Sequence, residues 1–158
     1  MKNDKTDNHE QIFWEEIDRL FPDMIKAIAS LSKKSYLSIT NLRTGITWWS
    51  ERAMDYFGMK ENYTIRSMEK ANRKIHPDDV ATFKRGFKER VDGKNLDTAW
   101  EYRIQDGDSY NRFNAMARVL YDEQKQPFII IIRYDNYGIS DEVDSVTGLY
   151  TEPALNRC

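Results

Sequence analysis

Apolar side chains recur at steps of three and four between residues 11 and 31, the spacing of one face of an amphipathic helix. The stripe consists of Phe13, Ile17, Leu20, Met24, Ile28 and Leu31. Pro22 interrupts it, and because proline is tolerated only in the first turn of a helix, we expect a kink or two consecutive helices there. Two interpretations stay open: the helix packs on its own domain, or it pairs with its copy in a homodimer.

The pattern changes at Tyr36 to short extended segments. The runs "YLSIT" and "ITWWS" flank the turn sequence "NLRTG", which predicts a β-hairpin. Ser50 then occupies a helix N-cap position and Gly58 a terminating position, so we expect a helix of about two turns between them. A second helical stretch is predicted over residues 65–74.

The segment "HPDDVATFKRGFKERV", residues 76–91, predicts a further helix. Pro77 suits the first helical position, where its missing N–H costs nothing. The two aspartates that follow lie at the positive end of the helix dipole, and Lys88 and Arg90 lie near the negative end. The apolar stripe of this helix consists of Val80, Phe83, Phe87 and Val91.

Three strands complete the pattern. In "TAWEYRIQ" apolar and polar residues alternate, the pair Asp106 and Gly107 predicts a turn, and "RFNAMARVLY" alternates again. The last run, "FIIIIRY", is apolar on both faces, so it belongs at the centre of its sheet. Strands segregated from helices with hairpin-length links indicate an antiparallel α+β domain.

Composition narrows the class of protein. The net charge of −2, with scattered Lys and Arg, gives no indication of nucleic-acid binding. The polar N-terminus does not resemble a signal peptide, and no apolar run reaches membrane-spanning length. Cys158 is the only cysteine, which excludes an intrachain disulfide and suits a reducing compartment. We therefore expect a cytoplasmic protein without membrane contact.

Four segments resemble the successive blocks of a PAS sensor domain: "ITWWSERAMDYFG", "IHPDDVATFKRGF", "WEYRIQDGDSYNRF" and "ARVLYDEQKQP". The resemblance covers residues 35 to 138 and implies a five-stranded antiparallel sheet with helices on one face, here preceded by an N-terminal amphipathic helical segment. The family's usual Asp-Ile-Thr at the end of the last strand is Asp135-Asn136-Tyr137 in this chain. The expected division is 1–33 for the tail and helical segment, 34–138 for the PAS domain and 139–158 for a linker and the first residues of a further domain.

The segment "DSVTGLYTEPAL", residues 144–155, is similar to the opening of a GGDEF diguanylate cyclase domain. In that family the segment lies between a PAS sensor and the cyclase that it regulates. The resemblance implies the N-terminal regulatory part of a diguanylate cyclase in cyclic di-GMP signalling, with a GGDEF domain following in the same chain. Asp144, Thr147 and Gly148 would form its signalling linker. The alternative is a ligand-free PAS module that only pairs its partners.

No catalytic or metal site is predicted for this chain itself, and so we do not expect the fragment to be an enzyme. His9 lies in the polar tail, and we expect His76 to cap its helix and to pack, because no second ligand or paired nucleophile accompanies it. A structural zinc site needs three or four Cys or His ligands, which the sequence does not supply. The flavin-binding light sensors of the PAS family use a cysteine on a core helix, so we predict no cofactor of that kind.

Aromatic side chains could line a ligand pocket between sheet and helices, where PAS domains hold ligands. The candidates are Trp48, Trp49, Phe57, Phe83, Phe87, Trp100, Tyr102 and Phe113. Aromatic residues at these spacings also fill cores. A pocket for an unknown small molecule and a filled core both stay open.

Overall fold

The computed structural model describes residues 4–31 and 34–139. The chain divides into two compact units, Met1–Ser35 and Tyr36–Cys158. In the first unit, helix α1 spans Asp4–Asp18 and helix α2 spans Phe21–Ser30, with Pro22 in the first turn of α2. Of the two alternatives expected at Pro22, a kink or two consecutive helices, the structure has two consecutive helices. None of the residues of α2 is buried, and the stripe residues Phe13, Leu20 and Ile28 are each more than half exposed.

The second unit alternates short helices with strands. Its elements are β1 Ser35–Asn41 (whose first residue belongs to the first unit), β2 Ile46–Trp49, α3 Glu51–Phe57, β3 Tyr63–Ile65, α4 Ser67–Asn72, a 3-10 turn Pro77–Asp79, α5 Val80–Val91, β4 Trp100–Asp106, β5 Ser109–Tyr121 and β6 Pro127–Ile139. The strands form one sheet in the order β3-β2-β1-β6-β5-β4. The apolar strand β6 lies in the interior of this sheet, as its sequence predicts.

The described sheet has six strands, which corrects the expectation of five. The added strand is β3, which pairs antiparallel with β2. Asn62 secures its start, because its side chain donates to the Trp49 carbonyl (2.9 Å) and its carbonyl accepts from Trp49 N (2.8 Å). A strand of three residues is too short to show an alternating pattern, so β3 was not predicted from the sequence. The sequence predicts only a helical stretch from residue 65. The helix begins later, at Ser67.

The core lies between the helices α3–α5 and one face of the sheet. Trp49, Phe57, Phe113, Ile130 and Ile132 are fully or almost fully buried there. The short helix α3 has the expected caps: Ser50 Oγ accepts from Ala53 N (3.3 Å), and Gly58 adopts the left-handed conformation (φ 71°). These contacts fix the helical side of the core against the sheet.

Candidate functional site

A small cavity lies between the helices and the inner face of the sheet. Its walls are Phe57 of α3, Ala71 and Asn72 of α4, Ile75, Phe83 of α5, Tyr102 and Ile104 of β4, and Tyr134 of β6. The space open to the centre of a water-sized molecule is about 10 Å³. That is roughly the room one water molecule needs. The side chains of the helices and the sheet therefore leave almost no free volume between them here.

Two buried polar atoms of the cavity wall have no hydrogen-bond partner among the described residues: Tyr102 Oη and Asn72 Oδ1. Burial raises the pKa of the Tyr102 hydroxyl well above its usual value, so it stays protonated and able to donate. The third polar group, Tyr134 Oη, lies 3.1 Å from Ser38 Oγ and shares a hydrogen bond with it. A hydroxyl donor and an amide acceptor on residues that line one cavity fit a water-sized polar occupant.

A flavin does not fit this arrangement of side chains. Its ring system is many times larger than the free space, and Phe57, Phe83 and Tyr102 occupy the volume between sheet and helices. The ring planes of Phe83 and Tyr102 meet edge to face with centroids 4.8 Å apart, so these side chains support one another. A large ligand would have to displace several buried aromatic rings.

The structure brings together only part of the predicted pocket lining. Phe57, Phe83 and Tyr102 contact the cavity, whereas Trp100 and Phe113 are buried in the core outside its wall. Phe87 is half-buried against the core.

The prediction fails for Trp48. It neighbours Trp49 on β2, and successive side chains of a strand point to opposite faces. Trp49 belongs to the core, so Trp48 lies on the outer face of the sheet, opposite Ile39 of β1.

Several wall residues were not predicted from the sequence. Ala71, Asn72 and Ile75 lie in the weakly patterned stretch before the His76 turn, and Tyr134 follows the apolar run of β6. Only Ile104 shares the alternation of Tyr102 and could have been chosen by that signal. The predicted linker residues Asp144, Thr147 and Gly148 lie outside the described residues.

The His76 turn covers the outer edge of strand β4. The backbone of Arg103 accepts from His76 N (2.9 Å), and Gln105 N donates to the Lys74 carbonyl (2.7 Å). The Asp79 carboxylate accepts from Arg103 N (2.8 Å), Arg103 Nε (2.8 Å) and Arg103 Nη2 (2.9 Å). These contacts with Arg103 lower the pKa of Asp79. His76 caps the turn as predicted, because its Nδ1 accepts from Asp78 N (3.1 Å).

The end of β6 is held by polar contacts rather than by the family's usual Asp-Ile-Thr. Asn136 Nδ2 donates to Tyr36 Oη (3.4 Å), and Asn136 Oδ1 accepts from Gly138 N (2.8 Å). The register between β5 and β6 shifts here, and Gly138 has a φ of 89° that favours glycine. A side-chain hydrogen bond thus joins β1 to β6, its neighbour in the sheet, near the end of β6.

The described residues show neither a metal-binding cluster nor a membrane-spanning helix. No group of three or more His, Cys, Asp or Glu side chains there could hold a metal ion. None of the helices in residues 4–31 and 34–139 combines the length and the apolar character that crossing a bilayer requires.

The sequence model described as "PAS fold" matches residues 46–132, more than half of the chain. This chain belongs to the PAS fold family. No sequence among curated proteins matches it significantly. The PAS segment runs from β2 into β6 and so contains the whole cavity wall except Tyr134.

Solved structures with low sequence identity share this PAS fold. A sensory box histidine kinase/response regulator from Burkholderia thailandensis E264 matches with a TM-score of 0.58 at 16% identity, covering 86% of this chain and 98% of that one. The N-terminal domain of a diguanylate cyclase with PAS/PAC sensor from Marinobacter aquaeolei gives 0.55 at 15% identity, covering 66% and 96%. A light-oxygen-voltage domain studied with a flavin analogue gives 0.51 at 12%, covering 85% and 95%.

Proposed function

We propose that this PAS domain is a sensory and regulatory domain that controls a diguanylate cyclase domain following it in the same polypeptide. The observation that carries the proposal is the segment "DSVTGLYTEPAL", which resembles the opening of a GGDEF domain. It begins five residues after Ile139, where β6 ends. The fold shared with the N-terminal domain of a Marinobacter aquaeolei diguanylate cyclase supports the proposal.

The size of the cavity favours a small ligand over a bound chromophore. A site of this size, with a tyrosine hydroxyl and an amide oxygen in its wall, suits a water-sized polar molecule. The alternative, a module that pairs its partners without any ligand, is favoured by the same close packing. The exposed apolar stripe on α1 and α2 supports a homodimer, whether or not the domain binds a ligand.

The test uses a polypeptide in which this chain continues into the proposed cyclase domain. Production of cyclic di-GMP from GTP is measured for the wild type, Asp144→Ala and Thr147→Ala, with Val143→Ala as the neighbouring control, because a valine side chain has no hydrogen bond to lose. The side chains of Asp144 and Thr147 can both bond to nearby backbone, which favours a fixed linker over a loose one. We expect altered or unregulated cyclase activity in these two variants, with unchanged melting temperature.

Two results would count against the proposal. Absence of cyclic di-GMP production by the wild type would remove the cyclase assignment. Normal and equally regulated production in both linker variants would remove the signalling role of the linker.

A further inference from the structure

The two edge strands of the sheet, β4 and β3, differ in whether other described residues bond to their outward backbone groups. At the β4 edge, His76 and Asp79 bond to both outward backbone groups of Arg103, and the Lys74 carbonyl accepts from the outward N–H of Gln105. At the β3 edge, the described residues supply no such cover. An exposed edge strand is a template for pairing with another extended chain.

The register of β3 shows which of its backbone groups face outward. Asn62 and Arg66 bond to Trp49 and Gly45 on the β2 side, and Thr64 lies opposite Thr47. Because bonded and non-bonded pairs alternate in an antiparallel ladder, the N–H and C=O groups of Tyr63 and Ile65 point away from β2. Within the described residues no hydrogen bond is made to these outward groups.

A groove of about 420 Å³ runs along this open edge. Three cationic side chains line it, those of Lys60, Arg66 and Lys70, together with one carboxylate, that of Glu61. The side chains that line the groove therefore carry a net positive charge, although the whole chain has a net charge of −2. An acidic ligand would therefore meet more cations than carboxylates at this edge.

Apolar contacts are available at the same place. Tyr63 and Ile65 are 61% and 65% exposed, and both also line the groove. Arg66, at the end of β3, has a φ of 57°, a left-handed conformation that is strained for a residue other than glycine. Such strain persists only where the surrounding structure holds it, and it concentrates at functional positions.

We propose that the open edge of β3 is a docking site for an extended acidic peptide of a partner protein. The peptide would add a strand to β3 through the outward backbone groups of Tyr63 and Ile65, and its carboxylates would contact Lys60, Arg66 and Lys70. Strand addition of this kind derives its affinity from main-chain hydrogen bonds and its specificity from side chains. A nucleic-acid strand could use the cations and Tyr63, but it could not pair with alternating N–H and C=O groups, so the geometry favours a peptide.

The probe is a fluorescein-labelled peptide of alternating residues, Glu-Val-Glu-Val-Glu-Val-Glu, titrated with the 158-residue chain and followed by fluorescence anisotropy. We expect saturable binding that weakens as salt is added, and amide NMR shifts centred on Tyr63 and Ile65. Lys60→Glu should weaken binding about fivefold, since it replaces an attraction by a repulsion. The matched control is Lys84→Glu, an exposed lysine on α5 that does not line the groove and should leave binding unchanged.

Two further peptides separate strand pairing from simple charge attraction. The same peptide with alternate backbone nitrogens methylated keeps every carboxylate but cannot form the ladder, and we expect at least about tenfold weaker binding. The peptide with lysine in place of glutamate should not bind. Equal binding of the methylated peptide, equal loss in Lys60→Glu and Lys84→Glu, no binding of the acidic peptide, or tighter binding of oligothymidylate would each overturn the proposal.

Discussion

At the scale of single residues, Gly86 marks the closest approach between α5 and the sheet. A Cβ atom at this position would lie 2.8 Å from Cδ1 and 3.0 Å from Nε1 of Trp100. Trp100 is buried and its ring also lies 4.1 Å beneath the guanidinium of Arg90, itself only 2% exposed. Since the tryptophan ring is held on both sides, it has little freedom to move away from a new methyl group.

We therefore predict that Gly86→Ala lowers the free energy of unfolding by about 1–3 kcal/mol, as overpacking of a core does. In an ordinary exposed helix the same change would raise stability by about 1 kcal/mol, so the sign of the effect is diagnostic. Urea unfolding measures it, with Lys84→Ala on the exposed face of α5 as the control. Partial recovery in Gly86→Ala combined with Trp100→Phe would identify the clash. Increased stability in Gly86→Ala would contradict the close approach.

Asp79 supplies a second prediction for single residues, concerning pH. Its hydrogen bonds with the Arg103 side chain are the largest of the effects that lower the pKa of Asp79 in the folded protein. A carboxylate with a lowered folded pKa contributes stability that is fully present above its unfolded pKa of about 4 and is lost as pH falls through the lower folded value. The contribution should therefore be constant above about pH 5 and decline in more acidic solution.

We predict that Asp79→Asn reduces the melting temperature at neutral pH and that the difference from wild type shrinks below about pH 4. Melting curves across the acidic range check both statements. Asp78→Asn is the matched control, because the neighbouring Asp78 side chain is 80% exposed and lies 3.9 Å from His76. A difference between Asp79→Asn and wild type that stayed constant down to low pH would show that the carboxylate charge is not responsible.

At the scale of elements, Ser50 joins a helix to a strand. Its hydroxyl oxygen accepts from Ala53 N at the start of α3 and from Leu37 N of β1 (3.1 Å), and its own N–H donates to the Leu37 carbonyl (2.9 Å). Ser50 is 3% exposed, so neither acceptor contact could be replaced easily by water. One side chain thus fixes the entry of α3 against the first strand.

We predict that Ser50→Ala lowers the free energy of unfolding by about 1–3 kcal/mol, the loss of an N-cap together with a half-buried N–H left unsatisfied. Chemical denaturation measures the change. Ser109→Ala is the control, because Ser109 donates to the Asp106 carbonyl in an exposed hairpin turn. A loss in Ser50→Ala no larger than that in Ser109→Ala would mean that the cap does not stabilise the helix–strand junction.

Much of the second unit could be predicted from its sequence where periodicity and end signals agree. Ser50, Gly58, Pro77 and the Asp106–Gly107 turn all stand at the ends that their chemistry favours. Strand β3 could not be predicted, since its pairing depends on Asn62 and Thr64 meeting Trp49. Arg90 was expected only to lie near the negative end of the helix dipole, whereas its guanidinium is buried on Trp100, a contact between residues ten positions apart.

The candidate site was harder to predict than the fold. Composition and spacing identify aromatic residues but not the free space between them, and the wall of the cavity depends on how tightly α4 and α5 approach the sheet. Trp48 and Trp49 show the difficulty. The two side chains are equally apolar, and only the register with Ser38 and Ile39 decides which one reaches the core.

At the scale of the whole molecule, the exposed apolar stripe of the first unit indicates a surface that binds a partner. Phe13, Leu20 and Ile28 are 53%, 55% and 56% exposed, and Trp14 and Phe21 are exposed beside them. Large apolar surfaces of this kind mark interaction sites in folded proteins. A second copy of the same helices presents a surface of matching character, as symmetric dimers require.

We predict that the chain, of mass 18.7 kDa, scatters light as a particle of twice that mass at micromolar concentration and that Ile28→Asp converts it to a monomer. An aspartate buried between two apolar helices would lose its hydration without gaining a counter-ion, whereas at a solvated position it would cost almost nothing. Gln11→Asp is the matched control, because it places the same charge at an exposed position of α1 two residues before Phe13, on the opposite face of that helix from the stripe. A wild-type monomer, or a dimer that survives both Ile28→Asp and deletion of residues 1–31, would refute dimerisation through this stripe.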